Sequence, residues 1–181
     1  MIEEIICAGF GGQGIMLMGK IVATAAVGDG KSVTVLPSYG AEVRGGTAHC
    51  MVKIAHTTIA SPYIVQADTC FAMNQPALEK FKNRIKKKGL LIINSSLAKK
   101  IPRLKDIRVI AVPLTEIAVR LGNIKVANSV ALGVYLARKK IVNLERIVHT
   151  MREIAPPKKR HLIEINRKAL EAGLEFMKHH D

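Results

Sequence analysis

Short apolar runs alternate with longer helical segments from the start of the chain. Residues 5–8 form an apolar run, residues 15–27 are good helix formers, and residues 32–36 form a second apolar run. A glycine-containing turn at residues 28–30 separates the helical segment from the second run. Continuous apolar runs of this length are typical of strands buried on both faces of a parallel sheet. The pattern therefore predicts a βαβ unit with a right-handed crossover.

The rest of the chain continues the alternation and then becomes helical. Further strands are predicted at residues 47–55, 57–59, 69–73, 90–93 and 108–112. A helix is predicted to begin at Pro76 and to run to about residue 88, where Gly89 would end it. The positive charges of the three lysines at residues 86–88 would then interact favourably with the negative C-terminal end of that helix. After Pro113 the pattern is helical, with interruptions near residues 122–125, 141–143 and 156–157.

No repeat, low-complexity tract or interdomain linker interrupts this pattern. We therefore predict a single α/β domain spanning residues 1–181, with a mostly parallel, Rossmann-like sheet, flanking helices and a helical C-terminal part. Its core must be aliphatic, because hydrophobic residues make up 49% of the chain while aromatic residues make up only 4% and tryptophan is absent.

The chain is strongly basic, with a formal net charge of +14. The positive charge is concentrated in residues 80–108 and in the last quarter of the chain. Such a balance attracts nucleic acid, acidic proteins or phosphorylated ligands such as coenzyme A. Nucleic-acid binding usually adds aromatic stacking platforms or a recognisable reading helix, and the sequence shows neither. We therefore expect a solvated basic face or one that meets an acidic partner, and no nucleic acid.

Three cysteines, Cys7, Cys50 and Cys70, lie far apart in the sequence without a CxxC pair. This spacing argues against an iron–sulfur cluster held by the chain alone and against a disulfide scaffold. The first residues are acidic where a signal peptide would be basic, and no apolar run approaches the roughly twenty residues of a membrane span. We expect a cytoplasmic protein without a membrane partner.

A glycine-rich turn follows the first predicted strand and opens the first predicted helix. It satisfies the pattern GxGxxG with Gly9, Phe10, Gly11, Gly12, Gln13 and Gly14. Glycines let the backbone approach a phosphate, which the free N–H groups of the helix end attract. The acid that holds the ribose of a nicotinamide cofactor is missing after residues 32–36, and Asp29 would lie at the wrong end of that strand. Phosphate binding, contact with a partner's cofactor, close strand–helix packing and a nicotinamide site all remain open.

A second glycine-rich segment follows the second predicted strand. Its residues are Ser38, Tyr39, Gly40, Ala41, Glu42, Val43, Arg44, Gly45 and Gly46. Because the carboxyl ends of parallel strands share one edge, both glycine segments should face one crevice. Arg44 suits charge-assisted hydrogen bonds to a carboxylate or phosphate, and Glu42 would orient that arginine or a partner backbone. The alternative is an Arg44–Glu42 pair that only braces the loop.

These two spaced motifs resemble the gamma subunits of 2-oxoacid:ferredoxin oxidoreductases. The similarity extends over nearly the whole chain, through Ser61-Pro62, Ala67-Asp68, Ala72-Met73-Asn74-Gln75, Asn128 before Ala131-Leu132-Gly133, and the late Asn166, Ala169 and Gly173. The resemblance implies that both glycine segments, together with Asn128, face a cofactor without forming a complete active site.

The resemblance also implies a division of labour between subunits. Such enzymes decarboxylate a 2-oxoacid on thiamine diphosphate with Mg²⁺, pass electrons through iron–sulfur clusters to ferredoxin, and release an acyl-CoA. The alpha and beta subunits would hold the thiamine cofactor, and a ferredoxin-like delta subunit the clusters. The gamma chain would bind none of these alone, would carry no catalytic residue or metal ligand, and would help to position coenzyme A.

The substrate type is read from the second segment. Arg44-Gly45-Gly46 resembles the 2-oxoglutarate or branched-chain type more than the Arg-Gly-Ala of pyruvate-type relatives. Tyr39-Gly40-Ala41-Glu42 also departs from the indolepyruvate type. We favour 2-oxoglutarate, with the pyruvate and branched-chain types, or a stand-alone nucleotide-binding oxidoreductase, as alternatives.

Overall fold

The computed structural model describes residues 2–40 and 47–179. Within these two stretches the strands are β1 Ile2–Phe10, β2 Ser32–Tyr39, β3 Thr47–Ala55, β4 Ala67–Ala72, β5 Ile85–Asn94 and β6 Arg108–Val112. The α-helices are α1 Ile15–Gly28, α2 Gln75–Phe81, α3 Leu114–Arg120, α4 Ala127–Arg138, α5 Leu144–Ile154 and α6 Ile163–Lys178. Short 3₁₀ segments lie at Ile124–Val126 and Pro157–Leu162. The helical part predicted after Pro113 is confirmed.

The strands form one sheet in the order β2-β3-β1-β4-β5-β6. Strands β4, β5 and β6 continue parallel to β1, whereas β3 runs antiparallel to both of its neighbours, β1 and β2. The prediction of a mostly parallel α/β domain is confirmed. The βαβ prediction needs one correction: β1 and β2 point the same way but are not neighbours, because β3 turns back from β2 and fills the position between them.

Two strand predictions need correction. Residues 57–59 form no strand. Strand β2 extends to Tyr39, because Ser38 and Tyr39 pair with His49 and Ala48 of β3. Proline at position 37 does not stop the strand, since β2 lies at the sheet edge, where a missing N–H is tolerated.

The helix predicted to begin at Pro76 is present as α2, but its predicted end near residue 88 is wrong, because α2 ends at Phe81 and β5 begins at Ile85. The ammonium of Lys86 lies 2.8 Å from carboxylate oxygens of both Glu4 and Asp68, which ties this segment to β1 and β4. Lys88 has a φ of 64°, and the register between β4 and β5 shifts nearby. Tertiary ion pairs therefore override the local helix preference. The three lysines lie in β5, so the prediction that they interact with a helix dipole is wrong.

Two hydrophobic layers cover the two faces of the sheet. Because side chains alternate along a strand, Ile5 of β1 points to one face and Ile6 to the other. Helices α1 and α3–α6 pack on the face of Ile5, which we call the helix-rich face. Among the described helices only α2, together with buried side chains such as Ile64 and Ala98, covers the face of Ile6, which we call the second face. No helix in the described stretches is long and apolar enough to cross a bilayer.

Helices α4 and α6 touch backbone to backbone. A methyl group at Gly133 would overlap the carbonyl oxygen of Leu170, and one at Gly173 would overlap that of Val130. Only glycine allows this approach, so these two positions set how closely α6 docks on the helix-rich layer.

We expect Gly133→Ala to lower the free energy of unfolding by about 2 kcal/mol or more, because the added methyl group must push two helix backbones apart. Urea unfolding followed by circular dichroism measures this change. Gly11→Ala is the matched control, since a methyl group there would meet no atom of the described stretches within 4 Å, and its effect should stay within about 0.5 kcal/mol. Equal midpoints for the two variants would contradict the close-contact explanation.

Candidate functional site

The two glycine-rich segments leave the sheet at the same edge. Phe10, the last residue of β1, lies opposite Thr47, and Tyr39, the last residue of β2, lies opposite Ala48. The backbone N–H of Gly40 donates to the carbonyl of Thr47 at 2.9 Å, which fixes both ends of the second segment. The predicted shared edge is therefore confirmed for the described residues. The candidate residues Glu42, Arg44, Gly45 and Gly46 lie outside the described residues.

The glycines of the first segment differ in their surroundings. Gly9 lies on β1, where an added Cβ would come within 2.6 Å of Gln13 Oε1 and 2.7 Å of Ile15 Cδ1. Gly14 has a φ of 73°, and a Cβ there would overlap the side-chain amide of Asn128. Gly11 and Gly12 are exposed, and a Cβ added at either position would meet no atom of the described residues within 4 Å. Close packing therefore explains Gly9 and Gly14, whereas Gly11 and Gly12 leave the backbone open to a ligand or a partner.

Gln13 braces the strand ends from inside the protein. Its Oε1 accepts hydrogen bonds from Phe10 N at 2.7 Å and from Asn74 Nδ2 at 3.0 Å, and its Nε2 donates to Met73 O at 3.2 Å. Asn74 in turn caps α2, since its Oδ1 accepts from Ala77 N at 2.9 Å. Gln13 was predicted to face a cofactor, and the structure gives its amide three partners within the chain.

The amide network continues to the end of β5 through residues that the sequence interpretation missed. Asn94 is fully buried, and its Nδ2 donates to Met73 O at 3.3 Å and to Thr115 Oγ1 at 2.8 Å. Its Oδ1 accepts from the N–H of Thr115 at 3.3 Å. The signal was a polar residue directly after the apolar run 90–93. Neutral amides thus join the carboxyl ends of β1, β4 and β5.

Asn128, which the sequence placed in the candidate site, does reach the glycine turn. Its Nδ2 donates to the carbonyl of Gly14 at 3.3 Å. The neighbouring Ser129 donates through its hydroxyl to Asn166 Oδ1 at 2.6 Å, and Asn166 Nδ2 donates to Leu162 O at 2.7 Å. This series of contacts connects the start of α1 with the start of α4 and with the segment before α6.

The first turn of α1 offers donors to an anion. Gly14 is the N-cap residue, and no described side chain caps the helix. The first turn also contains no acidic residue. The N–H groups of such a turn and the positive end of the helix dipole favour a phosphate or a carboxylate.

An apolar groove begins beside this turn. It has a volume of about 390 Å³ and runs between α1 and the segment that joins α5 to α6. Its walls include Leu17, Ile21, Met151, Ile154, Leu162 and Ile163. Leu17 belongs to the first turn of α1 and is 48% exposed, while Lys159 and Asn166 supply polar groups at the wall. The arrangement suits a ligand that combines an anionic group with a narrow, weakly polar arm.

The cysteines are buried and lie away from these exposed backbone groups. Cys7 faces Cys50 across β1 and β3, and Cys70 lies on β4. Burial raises the pKa of Cys50 to about 11 and that of Cys70 to about 12, and it also raises the pKa of Cys7. In the described part of the chain, no group of three His, Cys, Asp or Glu side chains could hold a metal ion.

Asp29 lies at the amino end of β2, opposite the strand ends that carry the glycine segments, as predicted. It precedes β2, and its carboxylate accepts a hydrogen bond from Arg146 Nε at 2.8 Å. It is therefore unable to take the ribose-binding position of a nicotinamide site.

Residues 4–176 match the family model described as pyruvate ferredoxin/flavodoxin oxidoreductase. The chain belongs to this family. It is 35% identical over 169 residues to the ketoisovalerate oxidoreductase subunit VorA of Methanothermobacter marburgensis, covering 93% of this chain and 35% of that relative. It is 33% identical to the 2-oxoglutarate synthase subunit KorC of Methanocaldococcus jannaschii, covering 98% of this chain and 95% of that relative.

A solved family member has the same fold. The gamma subunit of a keto/oxoacid ferredoxin oxidoreductase from Geobacter sulfurreducens is 33% identical, with a TM-score of 0.81 and 96% coverage of both chains. The resemblance to gamma subunits that the two glycine motifs indicated is confirmed. The matched relatives carry different substrate names, and this chain spans only about a third of the VorA relative.

We expect Gln13→Ala to lower the free energy of unfolding by about 1–3 kcal/mol, because the N–H of Phe10 and the amide of Asn74 lose their acceptor. Urea unfolding measures the loss. Gln66→Ala is a matched control at an exposed position and should change stability by no more than about 0.5 kcal/mol. A Gln13→Ala variant as stable as the control would show that the amide network does not brace the strand ends.

The raised thiol pKa values predict a pH dependence. Folding keeps these thiols neutral, so their contribution to stability is complete below the ordinary thiol pKa of 9.0 and is lost as the pH rises through about 11 to 12. At pH 8 a disulfide reagent such as dithionitrobenzoate should label the folded chain far more slowly than the urea-unfolded chain, which should react at all three thiols. Rapid labelling of the folded chain would contradict the burial.

Proposed function

We propose that the chain is the gamma-type subunit of a multisubunit 2-oxoacid:ferredoxin oxidoreductase that converts a 2-oxoacid and coenzyme A to an acyl-CoA, CO₂ and reduced ferredoxin. The family match over residues 4–176 supports this proposal, and so does the end-to-end similarity to a gamma subunit of known structure. Alpha, beta and ferredoxin-like delta subunits would complete the enzyme.

One observation carries the role of this chain in the complex. The exposed backbone of Gly11 and Gly12 leads into a helix end without a side-chain cap, and an apolar groove of about 390 Å³ begins at the first turn of the same helix. Coenzyme A combines phosphates with a narrow pantetheine arm, so its chemistry fits both features. We place coenzyme A, and no catalytic group, on this chain.

The other cofactors of the proposed complex fit this chain less well. The described residues provide no group of His, Cys, Asp and Glu side chains that could hold a metal or an iron–sulfur cluster. Thiamine diphosphate supplies the decarboxylation chemistry in such an enzyme, and its Mg²⁺ needs oxygen ligands, of which the described residues at this edge form no group of three carboxylates. We therefore assign these groups to partner subunits. The chain contributes by holding coenzyme A and by excluding water beside the partner's cofactor.

We favour 2-oxoglutarate as the substrate. The KorC relative matches this chain over nearly the full length of both proteins, which supports the type suggested by Arg44-Gly45-Gly46. The VorA relative is similar in identity and supports a branched-chain 2-oxoacid instead. Ferredoxin reduction by the complex purified from its native host should show the highest kcat/KM with 2-oxoglutarate. A preference for 2-oxoisovalerate or pyruvate would overturn this choice.

We expect Gly11→Glu to raise the KM for coenzyme A at least tenfold with little change in kcat, because the new carboxylate repels phosphate at the start of α1. The position has open space, so the fold should tolerate the side chain. Gly11→Gln is the matched control with the same shape and no charge, and its KM should stay within about threefold. A similar KM for both variants in an assembled complex would remove coenzyme A from this turn.

Arg44 is the second candidate for an anion contact, by virtue of its planar guanidinium. We expect Arg44→Ala to weaken turnover at limiting coenzyme A while the complex still assembles. Unchanged turnover under these conditions would exclude the arginine from coenzyme A binding.

Calorimetry of the single chain with NAD and NADP tests the alternative of a stand-alone nucleotide-binding oxidoreductase, which would require micromolar binding.

A further inference from the structure

An exposed apolar pair interrupts the cover of the second face of the sheet. Tyr63 is 53% exposed and Val65 is 70% exposed, although Ile64 between them is fully buried in the layer under α2. The segment has no regular secondary structure, with a bend at Val65, and pairs with none of the described strands. Burying Ile64 thus presents its two neighbours to the surface on either side.

Arg84 holds this segment in place. Its side chain donates to the carbonyl of Ile64, to the carbonyl of Val65 at 3.1 Å, and to the hydroxyl of Tyr63 at 3.4 Å. Its guanidinium also lies 5.5 Å from the ring centre of Tyr63. The apolar pair is therefore ordered before any partner arrives, which reduces the conformational entropy lost on binding.

Two cations, Lys80 and Arg84, lie on the side of Phe81 that faces the pair, in a strongly basic stretch of the sequence. Residues 80–108 contain eleven lysines and arginines and a single acidic residue, Asp106. The ammonium of Lys80 lies 5.4 Å and the guanidinium of Arg84 lies 5.6 Å from the ring centre of Phe81. The pKa of His49, whose ring stacks against Phe81 at 5.0 Å, is lowered by burial and by these two cations. We call the surface formed by Tyr63, Val65, Lys80 and Arg84 the basic face.

We propose that the basic face is a docking surface for an acidic polypeptide, with Val65 and Tyr63 at the centre of the contact and Lys80 and Arg84 facing its carboxylates. Exposed tyrosine and arginine beside an apolar centre are typical of protein interfaces. A surface for single-stranded nucleic acid would need several exposed aromatic rings on which successive bases could stack. The basic face offers only the ring of Tyr63. A second copy of this chain would bring the same charge and be repelled.

This inference rests on the proposed membership of a complex, and it adds which surface meets an acidic neighbour. The apolar groove and the basic face are separate surfaces, because the groove lies on the helix-rich face of the sheet whereas the basic face lies over the second face.

The test compares paired substitutions on the full chain. Val65→Asp and Lys80→Glu change the basic face, while Val119→Asp on α3 and Lys168→Glu on α6 make the same changes at exposed positions over the helix-rich face. Biolayer interferometry measures binding to the remaining subunits of the native complex at low and moderate salt. We expect each basic-face variant to bind at least tenfold more weakly, each control to stay within about twofold, and the wild-type affinity to fall with salt.

If the wild-type chain binds those subunits and all four variants bind equally well, the basic face is not the docking surface, although the proposed function stands. If the wild-type chain does not bind them, the proposed function fails, and poly-L-glutamate and oligodeoxythymidylate then test the face directly. Tighter binding of poly-L-glutamate, weakened by Lys80→Glu and not by Lys168→Glu, supports the proposal. Tighter binding of the oligonucleotide, or equal effects of the two lysine variants, overturns it.

Discussion

The pairing of β3 with both β1 and β2 is the constraint on which the candidate site depends. Strand β3 runs against its two neighbours, so its first residue lies between their last residues, and Phe10 and Tyr39 end one strand apart. If β1 and β2 were adjacent, as a simple βαβ unit would have them, the two glycine segments would crowd the same space. The intervening strand separates Phe10 from Tyr39 by roughly 10 Å, since neighbouring strands lie about 4.8 Å apart.

The polar residues at this edge have two different roles. One set of side-chain amides forms hydrogen bonds to backbone and side-chain partners within the chain, and these bonds hold three strand ends together. The set is Gln13, Asn74 and Asn94. Gly11 and Gly12 have no such partner side chains against them and leave the backbone exposed. A rigid amide layer beneath an open backbone turn is a reasonable basis for holding a ligand, because the groups that contact it need little reorganisation.

The sequence predicted those parts of the fold whose determinants are local. The run 5–8, the helix from Ile15 and the strand from Arg108 are set by apolar pattern and by glycine turns, and they appear where expected. The segment around Lys86 was missed because its structure depends on carboxylates from Glu4 and Asp68, which are distant in the chain. Asn94 escaped notice for a similar reason: its importance comes from Met73 and Thr115, which only the folded sheet brings near. The antiparallel insertion of β3 could not be read from pattern, because a buried strand looks alike in either direction.

The contact between Gly133 and Gly173 has a consequence for the groove. Where two helices meet through side chains, a change at the contact can be absorbed by new rotamers, but a contact made by bare backbone has none to offer. Any enlargement there must shift α6 as a rigid rod. Helix α6 contains Asn166, which is hydrogen-bonded to Leu162, and both residues line the groove. The shape of the groove therefore depends on the contact at Gly173, two helical turns further along α6. Residues that touch no ligand can thereby alter the shape that a ligand meets.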